Sequence, residues 1–524
     1  MTQLTVNDFK QLYQPLLSKY DKQRKFSSFT DVGELPPELQ RHKTPVWLAN
    51  GQPFESLFPI QEIDLQIREN PGSLIDETPI SGKYSTTKIQ MYEPKGSSKL
   101  GLSDALQYSD TKGHTQLLNI TKQIISRISK PKYDEWDTVI TCGSSDGLSK
   151  ICKMLLDEDS TLLVEEFTYP NILPWLNYAG GSIVQVKLNV TPDPSKQGID
   201  PEAMSELLEN WSDHHPNENK PKALYTIATG HNPTGLTQSL EVREKIYNIC
   251  CKHNIIIIED DPYGYLQMTP YDSKDPMANP YATGDISVDD YVSKILSPSY
   301  LTLDTEGRVL RCETFSKVAA PGLRLGFVTG NAYLISKVKT LNDISTRFAS
   351  GASQAILVNM LVDMGAKYQA EHKSAPAIDG WIDWCMKIAS EYTNRRNHLF
   401  KCVHEQPAFK EKKFELIEPS CGMFVTVVVN LKPEWKKTSI KRAMDYLYCL
   451  LLEEGCFAVL GYKMTVDEKF SMERSNFLRC TISKANDPKV FELGAQRLNK
   501  AVERLFSEYG VNEKFTLGKN GFKK

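Results

Sequence analysis

The sequence predicts an α/β fold, with a large domain on a mainly parallel seven-stranded sheet and a smaller α+β domain after it. Three observations predict it. From residue 137 onward, seven strand-like runs alternate with helical patterns. Several of those runs are unbroken apolar stretches, as expected of strands covered on both faces. After residue 350 the alternation gives way to long helical stretches with a few separated strand signals.

Residues 1–45 are polar and mixed in charge, with Pro36-Pro37, and read as an arm with one helix. Val46-Trp47-Leu48-Ala49 leads into the turn Asn50-Gly51-Gln52-Pro53. Residues 71–102, rich in Gly, Ser, Thr and Pro, read as a long surface excursion. Ala105-Leu106-Gln107-Tyr108 precedes Lys112-Gly113 and a helical run through Leu117, Leu118 and Ile120.

The expected strands of the large sheet are Val139–Thr141, Leu162–Glu165, Ile183–Leu188, Ala223–Ala228, Ile255–Ile258, Val309–Phe315 and Leu325–Thr329. Apolar residues at 148, 151, 152 and 155, and at 242, 246, 249 and 250, mark two of the intervening helices. Residues 267–306, polar and dotted with tyrosine, read as an insertion over the surface. Helical stretches follow at 353–364 and 381–407, then strand signals at Phe414–Ile417, Met423–Val429 and Phe477–Ile482. The polar, basic tail 511–524 is expected to fray. The expected division is 1–60 as an arm and part of the small domain, 61–380 as the large domain with the 267–306 insertion, and 381–524 as the small domain.

Composition excludes several function classes. Forty per cent hydrophobic and 24% charged residues are ordinary for a globular protein. A net charge of -3 offers no attraction for nucleic acid or an anionic membrane. Eleven cysteines without a CxxC pair suggest neither a zinc site nor a disulfide framework, and fit reduced thiols in the cytoplasm. No apolar run reaches the length of a membrane span, and the first residues lack the pattern of a secretory leader. Nine histidines show no HxxxH or HExxH spacing, so no metal is expected.

The chemistry centres on Glu313–Gly326. Lys317 follows a strand-like run, and a lysine amine that is buried and crowded condenses with an aldehyde. Ser316 and Arg324 flank it with a hydroxyl and a guanidinium that suit a phosphate. An aldehyde and a phosphate on one small molecule describe pyridoxal 5′-phosphate. Thr141-Cys142-Gly143-Ser144-Ser145 joins a strand to a helix, where Ser144 or Ser145 is expected to cap and the backbone N–H groups to face an anion. Glu259-Asp260-Asp261 ends a buried strand, and carboxylates there call for a cation such as a protonated pyridine nitrogen. By strand alternation only one of Asp260 and Asp261 meets it. Asn232, in the turn Asn232-Pro233-Thr234-Gly235, is placed to donate to a ring phenolate. Tyr169 offers an aromatic face. Ser144, Tyr169, Asn232, Asp260 and Lys317 all follow strands at the end where α/β sheets gather ligands. Arg479, in an otherwise apolar strand, matches a substrate carboxylate or a structural ion pair.

These motifs, in this order over about residues 45–505, resemble fold-type I class I aminotransferases. They are similar to the fungal aromatic amino acid enzymes, particularly the second, catabolic isoenzyme type. The strings LYTIATGHNPTG, IIEDDPYGYL, ETFSKVAAPGLRLGF, GASQAI, EPSCGMF and VLGYKM carry the resemblance.

The resemblance implies Lys317 as the lysine bound to the cofactor and Asp260 as the partner of its ring nitrogen. It implies Asn232 and Tyr263 on the phenolate, Tyr169 stacked on the ring, and Ser144, Ser145, Ser316 and Arg324 on the phosphate. Tyr108 would reach that phosphate from the partner subunit of an obligate homodimer, and would also border the substrate. Arg479, with Asn232, would clamp the α-carboxylate, and Gly51 would border the substrate. Many relatives carry paired glycines where this chain has Asn50-Gly51.

Aromatic donors, and 2-oxoglutarate, pyruvate or an aromatic 2-oxo acid as acceptor, are implied by resemblance alone. The alternative within the class is 2-aminoadipate or kynurenine. Outside it stand a lyase or decarboxylase on the same cofactor, a DNA-binding regulator, for which residues 1–45 are too short and too mixed in charge, and a non-catalytic scaffold.

Overall fold

The structure is a computed structural model and describes residues 3–24, 36–40, 42–44, 46, 48, 51–73, 83–485 and 487–510. The tail 511–524 and Asn50, on both of which expectations were placed, lie outside the described residues.

All seven expected runs are strands of one sheet. They are β1 Trp136–Thr141, β2 Thr161–Glu165, β3 Ser182–Val186, β4 Ala223–Thr226, β5 Ile256–Asp261, β6 Val309–Thr314 and β7 Gly326–Asn331. Their order across the sheet is β1-β7-β6-β5-β4-β2-β3. Only β7 runs against its neighbours β6 and β1, and the other pairings are parallel. Strands β2, β4, β5, β6 and β7 are buried along their whole length, because helices cover both faces.

The helices follow from their apolar spacing. Ser144–Leu155 buries Leu148, Ile151, Cys152 and Leu155, one stripe of an α-helix. Leu240–Lys252 buries Val242, Ile246 and Cys250, and Ser239 caps it by accepting from the Val242 N–H at 3.2 Å. Each fully buried aliphatic side chain of this kind contributes about 2 kcal/mol.

A second sheet is antiparallel, with Phe414–Ile417 (β8), Phe424–Val429 (β9), Val459–Leu460 (β10) and Phe477–Thr481 (β11) in the order β8-β9-β11-β10. The helices Pro433–Glu453 and Pro488–Glu508 close a separate apolar core over it. The 26-residue helix Asp379–His404 joins the two layers. Its Trp381 and Cys385 lie in the core of the large sheet, and its Val403 lies in the second core.

Three segments differ from expectation. Residues 6–23 form two α-helices, Val6–Tyr13 and Lys19–Gln23, rather than one. Phe9, Tyr13 and Leu17 enter the core of the large sheet, so this segment packs there and not with the four-stranded sheet. Within 71–102, Tyr84–Gln90 pairs antiparallel with Glu62–Arg68, and Ile89, Met91, Leu100 and Leu102 are buried. The 267–306 insertion is anchored rather than laid over the surface. Tyr281 and Tyr291 share a small core with Ile382 and Ala389, and the Tyr300 hydroxyl donates to Gln238 Oε1 at 2.6 Å. Its tyrosines carry the anchoring, each with an apolar ring to bury and a hydroxyl to pair.

Candidate active site

The carboxyl ends of β1, β2, β4, β5 and β6 finish along one edge of the large sheet, since Thr226 pairs with Glu259 and Cys312 with Asp260. The loops leaving this edge hold most of the expected residues.

Glu259, Asp260 and Asp261 end β5, all nearly inaccessible. Two of the three are neutralised. Asp261 Oδ2 pairs with Arg311 Nη2 at 2.5 Å, and its Oδ1 accepts from the Tyr263 and Gly264 N–H groups at 3.2 and 2.6 Å. Glu259 faces Arg311 Nη1 at 3.2 Å and Arg243 Nη1 at 3.5 Å. Arg311 is shared further with Glu313, at 2.7 Å. Among the described residues no cation pairs with Asp260. Its Oδ2 accepts from the Tyr225 hydroxyl at 2.8 Å, while its Oδ1 is buried with no hydrogen-bond partner. Burial pushes this carboxyl up to about 7; the Tyr225 hydroxyl pulls it back, and the charges of Asp261 and Glu165 add to the rise. Structure thus separates two neighbouring aspartates that sequence left as alternatives.

Tyr225, Arg243 and Arg311 were not among the expected residues. One signal existed: Arg311 interrupts the apolar run of β6, directly across from Glu259 of β5. An arginine in a buried strand needs acids on the neighbouring strand.

Around Asp260 the aromatic and amide groups converge. Tyr263 is 5% exposed, and burial raises its phenol, with the Asp260 charge adding and Arg479 and Asn232 opposing. Asn232 Oδ1 accepts from Arg479 Nη1 at 2.8 Å, which ties the turn after β4 to strand β11. The Arg479 guanidinium lies 4.6 Å from the centre of the Phe424 ring. Among the described residues no carboxylate lies within ion-pair distance of Arg479. Burial lowers its proton affinity, opposed by Tyr263. Gly235, at φ +69°, lets this turn approach β9; a Cβ there would stand 2.4 Å from the Phe424 carbonyl oxygen. Tyr169 is half-buried where β2 leads into a 3₁₀ turn, its hydroxyl accepting from Asn171 Nδ2 at 2.8 Å.

A second cluster forms at the start of helix Ser144–Leu155. Neither Ser144 nor Ser145 caps it, contrary to expectation. Gly143 is the N-cap residue at φ +87°, no side chain caps the helix, and the two serines occupy its first turn. The exposed N-terminal N–H groups and hydroxyls thereby remain suited to an anion. Arg324, itself left-handed at φ +51°, reaches over this turn, its Nη2 donating to the Cys142 carbonyl at 3.3 Å. Gly143 leaves room for that approach: a Cβ there would lie 2.5 Å from Arg324 Nη2. Ser316 Oγ lies 2.8 Å from Thr314 Oγ1.

Lys317 sits in the turn 315–319 that follows β6, as expected of a lysine after that strand. Its side chain is exposed in the single chain, not crowded as expected. The turn is held by Ala319 N–H to Phe315 O at 2.8 Å and by Trp384 Nε1 donating to Val318 O at 2.7 Å.

Two expected residues stand outside these contacts. Tyr108 is 63% exposed, edge-on to Phe348, and Gly51 is exposed with open space where a side chain would be.

A model of the family described as aminotransferase class I and II matches residues 93–497. The chain is 37% identical over 508 residues to the aromatic amino acid aminotransferase 2 of Saccharomyces cerevisiae, covering 95% of this chain and 97% of that protein. It is 33% identical over 463 residues to an aromatic amino acid aminotransferase of Schizosaccharomyces pombe, covering 87% and 90%. Among solved structures, the aromatic aminotransferase Aro9 of C. albicans superposes with a TM-score of 0.84 at 40% identity, covering 94% of this chain and 98% of that one.

Proposed function

The chain belongs to the class I and II aminotransferases, and from that premise we propose that it moves the amino group of aromatic amino acids to a 2-oxo acid with pyridoxal 5′-phosphate. The observation that carries the cofactor is Asp260, whose buried Oδ1 has no hydrogen-bond partner and whose carboxyl has no cation beside it among the described residues. A protonated ring nitrogen is the partner that completes it. When bound, the cofactor supplies a carbonyl carbon that takes and returns an amino group and a ring that accepts electrons.

Asp260 would hold the ring nitrogen, Asn232 and Tyr263 the phenolate oxygen, and Tyr169 one face of the ring. Ser144, Ser145, Ser316 and Arg324 would hold the phosphate. Lys317 Nζ would bind the cofactor carbonyl at rest and, once released, take the α-proton of the substrate and return it, base and then acid. Arg479 would fork to the α-carboxylate, already oriented by Asn232 and Phe424. Donor and acceptor use the same site in turn, so ping-pong kinetics follow.

The homodimer is part of the proposal. Gln107 Nε2 donates to Pro53 O at 2.7 Å, so Tyr108 neighbours the segment exposing Phe54, Leu57 and Ile60. An aromatic group presented on such an apolar edge suits a second copy of the chain. No helix among the described residues is long and apolar enough to cross a membrane. The eleven free cysteines suit a reducing compartment such as the cytoplasm. Aromatic substrates are preferred to 2-aminoadipate or kynurenine because the relatives at 33–40% identity are aromatic aminotransferases.

An absorbance scan tests the reading. Purified protein supplied with pyridoxal 5′-phosphate should absorb in the visible, bleach with phenylalanine or tyrosine, and recover with a 2-oxo acid. Protein that leaves the cofactor spectrum unaltered would sink it. Arg479→Lys keeps the charge and loses the planar fork. It should raise KM for amino acid and 2-oxo acid alike by roughly 10- to 100-fold, about 1.5–3 kcal/mol. Unchanged KM values in steady-state assays would remove Arg479 from the carboxylate site.

A further inference from the structure

Glu166, the residue after β2, is completely buried and takes no part in the chemistry above. Arg474, three residues before β11, grips it as a fork. Nε lies 2.9 and 3.1 Å from the two carboxylate oxygens, and Nη2 lies 2.8 Å from Oε2. Glu166 Oε1 also accepts from the Leu188 N–H at 2.7 Å. Arg474 is held in turn, its Nη2 donating to Phe470 O at 2.8 Å and its guanidinium 5.1 Å from the Phe470 ring centre.

The backbone beside this pair is stitched as well. The Val466 N–H donates to Glu166 O at 2.9 Å and the Thr168 N–H to Met464 O at 3.0 Å. Phe167 bridges Thr465, and its ring meets Phe477 edge-on at 5.0 Å. One end of this seam leads directly into Tyr169, and the other leads into β11 and Arg479. The seam therefore joins the large sheet to the four-stranded sheet at the two residues assigned to the ring face and the carboxylate.

We propose that the Glu166–Arg474 pair is a positioning latch that sets the distance between Tyr169 and Arg479, and so governs affinity for both substrates. This inference rests on the functional reading above. The pair is not among the residues assigned to substrate or cofactor; it acts through the two elements it joins. A planar, bidentate pair transmits geometry where a single ammonium would transmit only charge.

Arg474→Lys tests the fork, and the double variant Glu166→Gln/Arg474→Met tests the charge. Arg474→Lys should raise KM for donor and acceptor about fivefold or more, with kcat within about twofold. The double variant removes the buried carboxylate together with its partner, so it should melt near the wild type yet keep the raised KM. Wild-type KM in Arg474→Lys overturns the latch. So does wild-type KM in the double variant, because the pair would then serve only to neutralise a buried charge. Wild-type enzyme in the same assay separates the failures: if it does not transaminate, the functional reading falls, and if it does, only the latch is in question.

Discussion

Lys317→Ala is expected to lower turnover by at least about 10⁴-fold, the upper range for losing a positioned acid–base group. The lysine would be both the resting partner of the cofactor and the amine that moves the α-proton, so its loss removes both functions at once. Its side chain is exposed and the turn that carries it is held by backbone contacts and Trp384. The variant should therefore melt within about 0.5 kcal/mol of the wild type. Cofactor should still bind, more weakly, through Asp260, Tyr169 and the groups around Ser144 and Arg324. Single-turnover transamination, measured beside a melting curve, checks both expectations. Near-normal turnover in a folded variant would refute the role of Lys317.

Asp260→Asn is expected to cut turnover about 10²-fold or more and to change the pH dependence of apoprotein stability in a defined direction. The ordinary value of an aspartate here is 3.8, and in the folded chain Asp260 is raised to about 7. Below about pH 4 the carboxyl is protonated whether folded or unfolded and contributes no difference. Between about pH 4 and 7 the unfolded chain releases the proton while the folded chain keeps it, so stability falls as pH rises. Above about pH 7 the loss levels off, at about 4 kcal/mol in order of magnitude. Asparagine cannot ionise, so apo-Asp260→Asn should gain on the apo wild type across that window. Cofactor should reverse the order, because a ring cation stabilises the ionised aspartate. Denaturant titrations at pH 4 and pH 8, with and without pyridoxal phosphate, read all four states. Parallel pH profiles for the two apoproteins would contradict the isolated Asp260 carboxyl. An unchanged turnover would shift the role to Asp261, even though Arg311 and two backbone N–H groups already occupy that carboxylate.

The seven strands of the large sheet were legible because each is a strand-length run rich in apolar residues between turn residues, a local signal. The edges of the fold were less so. Val459–Leu460 is two residues long and too short to show a period. The segment 6–23 looks polar overall, because only Phe9, Tyr13 and Leu17 are fully buried apolar residues, with Leu16 packed beside them. The 267–306 segment looked like surface because its anchors are tyrosines spaced along polar stretches. The cap of helix Ser144–Leu155 was misread because serine is the commoner cap, whereas here Gly143 takes a positive φ and leaves the turn open.

Sequence alone determined that Ser144, Tyr169, Asn232, Asp260 and Lys317 stand at the carboxyl ends of strands of one mainly parallel sheet. In such a sheet the loops after parallel strands must emerge at one edge, so chain order already implies convergence. Only the tertiary structure decided which aspartate stands without a cation, that Arg243 and Arg311 neutralise its neighbours, that Asn232 meets Arg479 across 247 residues and that Glu166 meets Arg474 across 308. Those outcomes depend on the register between distant segments and on which oxygen ends up cut off from water. Neither is encoded in any local run of residues.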